Sequence, residues 1–303
     1  VIEYNQLNHF SVLTFLRIIS HMTEHDAVSV YSWENCPNPV KEKVNNILAF
    51  FRKTMGNDLT GFYLHGSLAQ GCFNPRISDI DFMVITERKL TVPEKKDIIQ
   101  YLRDIDSGDA EIPVEMSVVT SKSLKNPVYP SPFELHYSRT TRDDYTSGKV
   151  GWEEQRADTD LPAHYVSIRE RGVSLYGQPT KDAIPEIPQE MVIASIVQDL
   201  HWIRQQVSTL SFLHIILNPC RALAYAKEGK YLSKKEGGEW GLRNLPPQYT
   251  HLIEKALTAY SGAGDAIPPS LDVLTEFIDY TIREFIFLAA KTDAENLFFK
   301  GSY

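Results

Sequence analysis

HGSLAQGCFNPRISDIDFMVI, His65 to Ile85, sets a Gly-Ser pair ahead of an Asp-Ile-Asp triplet, with apolar runs on either side. In a strand, successive side chains point to opposite faces. Asp79 and Asp81, two apart, would therefore project both carboxylates to one side while Ile80 faces the core. Two adjacent carboxylates suit a divalent cation, and magnesium prefers such oxygens together with substrate phosphates. Gly66 at a strand end lets backbone approach a phosphate closely. Ser67 at a helix start offers it a hydroxyl, an N–H and the helix dipole. Neither pair is a signal alone, but at this spacing, between two apolar strands, they predict a site for a triphosphate and its metal.

The flanks supply the elements such a site needs. PVKEKVNNILAFFRKTM, from Pro39, spaces Val40, Val44, Ile47, Leu48 and Phe51 by three and four residues, predicting an amphipathic helix with proline in its first turn. GFYLHG from Gly61, DIDFMVIT from Asp79 and VEMSVVT from Val114 read as strands, with PEKKDIIQYLRDI as a helix between the last two. Together they make one small α/β unit. Glu115 stands inside the third strand, where a carboxylate needs an ionic partner or a metal, and where it could take a proton from an attacking hydroxyl. NPVYPS, from Asn126, interrupts regular structure. FELHYSRTTRDDY, from Phe133, mixes polar and aromatic residues suited to a site rim, with Glu134, His136 and Tyr137 as candidate contacts. Beyond about Leu161 long helical patterns take over: LPAHYVSIRERG, EMVIASIVQDLHWIRQQV, FLHIILNPCRALAYAKEG, QYTHLIEKALTAY and SLDVLTEFIDYTIREFIFLAAK. They predict a helical bundle as a second domain.

A chain of 303 residues with 43% hydrophobic content can bury a sizeable core and has a length suited to two domains. The expected division is 1–35 as an N-terminal extension carrying the apolar patch FSVLTFLRII, 36–157 as the α/β domain, 158–292 as the helical domain, and 293–303 as a tail. ENLFFKGS in the tail looks like a degraded cleavage tag and is given no functional weight. A formal charge of -8 argues against DNA or RNA, whose backbone requires Lys and Arg, and suits a cationic small molecule better. Cys36, Cys72 and Cys220 are odd in number and widely spaced, so neither a disulfide framework nor a zinc site is indicated. With no secretory pattern and no apolar run of roughly 18 residues, the chain is expected to be cytoplasmic, away from membranes and monomeric.

HGSLAQGCFNPRISDID resembles the nucleotidyltransferase pattern of Gly-Ser followed by Asp-x-Asp, and specifically that of the aminoglycoside adenylyltransferases acting on streptomycin and spectinomycin. VEMSVV is similar to that family's third-carboxylate strand, TDLPAHYVSIRERGVSLYGQP to its interdomain segment, and LNPCRALAYAKEGKYLSKKEGGEWGLRNLPPQY to its helical domain. The resemblance runs from about Trp33 to Phe287. It implies an α/β N-terminal nucleotidyltransferase domain with a mixed sheet and an all-α helical-bundle C-terminal domain. It also implies that Asp79 and Asp81 bind Mg2+, that Glu115 is the catalytic base, and that Gly66 and Ser67 hold the phosphates of ATP. Arg221 and Lys234 match positions that reach the triphosphate from the helical domain; without the resemblance they read as helix-surface charges. The implied reaction is Mg-dependent transfer of AMP from ATP to a hydroxyl of an aminoglycoside or aminocyclitol, an antibiotic-resistance activity.

The departures concern the acceptor. Where enzymes active on streptomycin carry a tryptophan after a Gly-Glu pair, this chain has Thr141. Where they carry an aspartate beyond the tryptophan matching Trp202, it has Val207, and Ser211 occupies another acidic position. A stacking plane and an anionic partner for a guanidinium are missing, so spectinomycin is expected ahead of streptomycin. Trp202 is a candidate for the substrate wall, although tryptophan at helical spacing is more often core, as for Trp240. Two rivals stay open: nucleotidyl transfer to a lincosamide, another metabolite or a protein side chain, and a nucleotide-binding regulatory protein without transferase activity. An RNA-tailing polymerase would need a basic groove that the composition lacks.

Overall fold

Helix α1, Asn38–Met55, buries Val40, Val44, Ile47 and Phe51 as the apolar spacing predicts, and Leu48 is half-buried. The structure is a computed structural model that describes residues 30–107, 112–262 and 267–300, with side chains described up to residue 291. The apolar patch at Phe10–Ile19 and most of the N-terminal extension lie outside the described residues.

The strands are β1 (Leu59–Leu64), β2 (Ile80–Thr86), β3 (Val114–Thr120), β4 (Ser131–Phe133), β5 (Leu135–Tyr137), β6 (Arg156–Asp158) and β7 (Val173–Gly177). The main sheet runs β5-β3-β2-β1-β7, while β4 and β6 pair apart from it. It is mixed: β2 and β3 run parallel and the other neighbours antiparallel. The parallel pair needs a crossover, and α3 (Val92–Ile105) provides it after the short helix α2 (Gly66–Ala69). Thr91 and Glu94 close the start of α3 as a reciprocal capping box.

Alternation along the strands leaves both faces of the sheet apolar. Phe62 and Phe82 stack at 4.8 Å on one face, and Phe51 of α1 meets their edges at 6.1 and 6.3 Å. On the other face, Tyr63, Met83 and Ile85 pack under Leu161, Tyr165 and Ile168 of α5 (Leu161–Arg171), which follows the turn helix α4 (Ser121–Lys125). A division after residue 157 thus assigns to the helical unit a helix and a strand that belong with the sheet. α5 covers one face, and β7 pairs antiparallel with β1 at the edge.

After the short α6 (Thr180–Ala183), the bundle consists of α7 (Gln189–Gln205), α8 (Phe212–Glu228), α9 (Lys234–Asn244), α10 (Thr250–Tyr260) and α11 (Leu271–Lys300). Its core includes Ile203, Ile216, Ile253 and Phe277. Gly237 and Gly238 weaken the helical pattern of α9 in the sequence. Tertiary packing overrides that cost. Ser233 and Glu236 form a second capping box, and a Cβ on Gly237 would lie 2.7 Å from the Arg221 Cβ and 2.9 Å from its backbone nitrogen. Glycine there is what lets α9 lie against α8. All three cysteines are free and buried, and no helix among the described residues is long and apolar enough to cross a membrane.

Phe51 is 0% exposed and wedged between α1 and the sheet. Phe51→Ala is expected to cost about 3–5 kcal/mol, read as a lower urea midpoint at unchanged slope.

Candidate active site

The decisive geometry is the register of the parallel pair. Asp81 of β2 lies opposite Glu115 of β3, so the two side chains leave the sheet side by side on the face that α5 covers. Asp79 lies one residue ahead of β2, not within it, and is exposed at the cavity mouth. The strand alternation expected for the two aspartates therefore applies to Asp81 alone; Asp79 reaches the same cavity from the preceding loop.

Around Asp81 the backbone is tightly specified. The His65 N–H donates to the Asp81 carbonyl at 3.0 Å, which ties the end of β1 to the start of β2. Gly66 follows at φ +61°, where a Cβ would overlap the Asp81 carboxylate. Only glycine satisfies both demands. The Ser67 hydroxyl, next in line, is buried without a hydrogen-bond partner, an unpaired group that a phosphate oxygen would satisfy.

These residues line a cavity of about 550 Å3 between the sheet and the bundle. Arg221 of α8 and Lys234 of α9 line it from the opposite side. The Arg221 guanidinium sits 5.8 Å from the Tyr231 ring centroid. Of the rim candidates only His136 reaches this cavity, with Nδ1 3.1 Å from the Ser117 hydroxyl. Glu134 is buried and accepts from the Leu90 N–H at 3.3 Å. Tyr137 is core, donating its hydroxyl to Asp106 at 3.3 Å. Alternation turns His136 opposite to Leu135 and Tyr137 in β5, whereas Glu134 lies between β4 and β5 and is held inward by the Leu90 N–H. Trp202 lines the cavity at 43% exposure, whereas Trp240 is buried and donates to Glu228 at 2.6 Å.

The electrostatics are those of crowded acids. Burial, then Glu115 and Asp79, pushes the Asp81 carboxyl up to about 8. Burial also raises Glu115, with the charge on Asp79 adding to it. Burial depresses Lys234, with Arg221 adding to that, while Asp81, Asp199 and Asp79 hold its charge in place. A group absent from the sequence-based candidates is His164 on α5. Burial opposes its charge, but the Asp160 carboxylate 3.1 Å away, and then Glu115, hold it as an imidazolium up to about 10. Asp160 stays down at about 2 against its own burial, chiefly through His164. Its only sequence signal is an Asp and a His four apart at the start of a helix.

Asp79, Asp81 and Glu115 form a hard, anionic oxygen set suited to a divalent cation. Among the described residues, no group of three His, Cys, Asp or Glu side chains is arranged to hold a metal ion alone. A cation there would draw on one or two of these carboxylates, with water and phosphate oxygens completing its shell.

Known proteins share both halves. Residues 42–136 match the family described as nucleotidyltransferase domain, and residues 182–284 match the one described as aminoglycoside adenylyltransferase, C-terminal domain. In both halves the chain is similar to the aminoglycoside adenylyltransferases. An aminoglycoside (3'')(9) adenylyltransferase of Klebsiella pneumoniae is 25% identical over 250 residues, covering 81% of this chain and 94% of that protein. A spectinomycin 9-adenylyltransferase of Enterococcus faecalis is 25% identical over 229 residues, covering 73% and 87% respectively. The crystal structure of a spectinomycin adenylyltransferase of Enterococcus, with ATP and spectinomycin, superposes with a TM-score of 0.71 at 22% identity, over 81% of this chain and 98% of that one. The chain is thus a two-part nucleotidyltransferase, with a mixed sheet and a helical partner.

Two measurements follow from the crowding. Gly66→Ala is expected to displace Asp81 and lower turnover about 100-fold or more, read as pyrophosphate release by a protein with wild-type circular dichroism. A carboxyl whose folded value stands above its unfolded one binds more protons when folded, so its contribution to stability falls as pH rises from about 4 through about 8. Without metal, Asp81→Asn is expected to melt above wild type at pH 8, with the difference shrinking toward pH 4.

Proposed function

We propose that this enzyme transfers AMP from ATP to a hydroxyl of an aminocyclitol antibiotic, with spectinomycin preferred over streptomycin and magnesium as the metal. One observation carries the reading: Asp81 and Glu115 in paired register face Arg221 and Lys234 across a single cavity. Acids that gather a metal and cations that meet phosphates are the two halves of a phosphoryl-transfer site.

In this reading Asp79 and Asp81 hold Mg2+, which when bound neutralises the phosphate oxygens. Ser67 gives its unpaired hydroxyl to a phosphate, and Gly66 keeps the backbone close to it. Arg221 and Lys234 neutralise charge on the departing pyrophosphate from the helical side. Glu115 accepts the proton of the acceptor hydroxyl as its oxygen attacks the α-phosphorus in line. His164, held by Asp160, offsets the negative charge beside Glu115 and favours its ionised, proton-accepting form.

The preference for spectinomycin rests on three positions, Thr141, Val207 and Ser211, of which only Thr141 lines the cavity. Thr141 stands at the cavity with its hydroxyl 2.9 Å from that of Ser138, and it offers no ring to stack on. Val207 is buried in the bundle core, and Ser211 caps α8. None supplies the plane or the charge that a guanidinium requires.

Incubation with MgATP and spectinomycin is expected to give a product heavier by one AMP, with little or none from streptomycin; equal adenylylation of both would contradict the preference. Glu115→Ala is expected to lower turnover about 100-fold or more while ATP still binds, and turnover at the wild-type rate would remove Glu115 from the role of base.

A further inference from the structure

Beside Arg221 and Lys234, the cavity has a further polar wall built by α7 and α8. Asp199 and Trp202 contribute from α7, and His214 and Asn218 from α8. Asn218 is 4% exposed. Its Nδ2 donates to an Asp199 carboxylate oxygen at 3.4 Å and lies 2.9 Å from His214 Nε2, while its Oδ1 is buried with no partner. Trp202 stands edge-on to His214 at 5.9 Å between ring centroids.

The chemistry of this wall is one-sided. Burial, then Lys234 and Arg221, drives His214 well below its ordinary range, so the ring stays neutral. Burial and the charge of Asp160 push Asp199 up to about 6 although Arg221 and Lys234 stand nearby, so its charge is under-compensated. The residues that line the cavity here bring a carboxylate, an amide whose carbonyl oxygen is buried and unpaired, and an indole. All three attract a cation that carries N–H donors. An anion would meet Asp199, and an apolar group would leave the Asn218 carbonyl unpaired.

We infer that Asp199, Asn218 and Trp202 form the subsite that takes a protonated amine of the acceptor. The inference rests on the proposed reaction. It assigns amine recognition to α7 and α8, in place of the positions now filled by Thr141, Val207 and Ser211. The amine docks on the bundle side, and the hydroxyl to be modified is left to the sheet side, where Glu115 stands.

Calorimetric titrations of spectinomycin and of MgATP, each run separately into wild type, Asp199→Asn and Trp202→Phe, test this. Asp199→Asn is expected to weaken spectinomycin about tenfold or more and to leave MgATP within about twofold, which also shows that the fold is intact. Trp202→Phe is expected to weaken spectinomycin by a smaller factor, again without moving MgATP. Unchanged spectinomycin affinity in Asp199→Asn would overturn the assignment. So would a parallel loss of both ligands, which would make Asp199 a support for Arg221, or no binding of spectinomycin to wild type. If the affinities shift as expected but spectinomycin gains no AMP, the reaction is misread and the amine subsite stands.

Discussion

The parallel pairing of β2 with β3 places Asp81 beside Glu115, and most of the site is arranged around the repulsion this creates. Burial, and then the like charges of Glu115 and Asp79, oppose ionisation of Asp81 and push its carboxyl up to about 8. Each neighbouring feature answers that stress. Gly66 has no side chain and so leaves room for the Asp81 carboxylate. His164, charged through Asp160, sets a cation near Glu115 from above the sheet. Lys234 brings another from the bundle, at the cost of a depressed pKa of its own. A divalent cation held by these carboxylates would relieve what remains.

The bundle earns its place by delivering cations to this point. α9 carries Lys234 in its first turn, and the close approach of Gly237 to Arg221 holds α9 against α8, so both charges enter one cavity. Arg171, at the end of α5, pairs with Glu236, the residue that also caps α9. The helix on the sheet and the helix bearing Lys234 are thereby joined through one carboxylate. The Asn74 side chain donating to the Tyr260 carbonyl at 3.2 Å, and the Tyr260 hydroxyl donating to the Cys72 carbonyl at 3.2 Å, fasten the loop before β2 to α10.

Local pattern made much of this legible. Helical spacing in α1, apolar alternation around Asp81 and the Gly-Ser pair need only neighbours in sequence to be read, and the mixed sheet with its helical partner matches that reading. What escaped depends on contacts distant in sequence. β7 reads as part of a helical region until its pairing with β1 is known. Tyr137 looks like a rim residue until strand register turns it inward, and Glu134 until its bond from the distant Leu90 N–H is known. His164 and Asp199 each sit singly in mostly apolar helices, and only the folded cavity shows that they face Glu115 and Asn218 rather than solvent. The sequence also placed Asp79 in the strand, because period-2 alternation cannot say where a strand begins.

The central claim is that Asp81 keeps its proton until a cation arrives. Calorimetric titration of MgATP at pH 7.5, in two buffers of very different ionisation enthalpy, counts the protons released on binding. The account predicts release approaching one proton in wild type, declining toward pH 9 and absent in Asp81→Asn. Equal binding enthalpies in the two buffers would mean that Asp81 is already ionised in the free enzyme, and would contradict the crowding from which the rest of the site was derived.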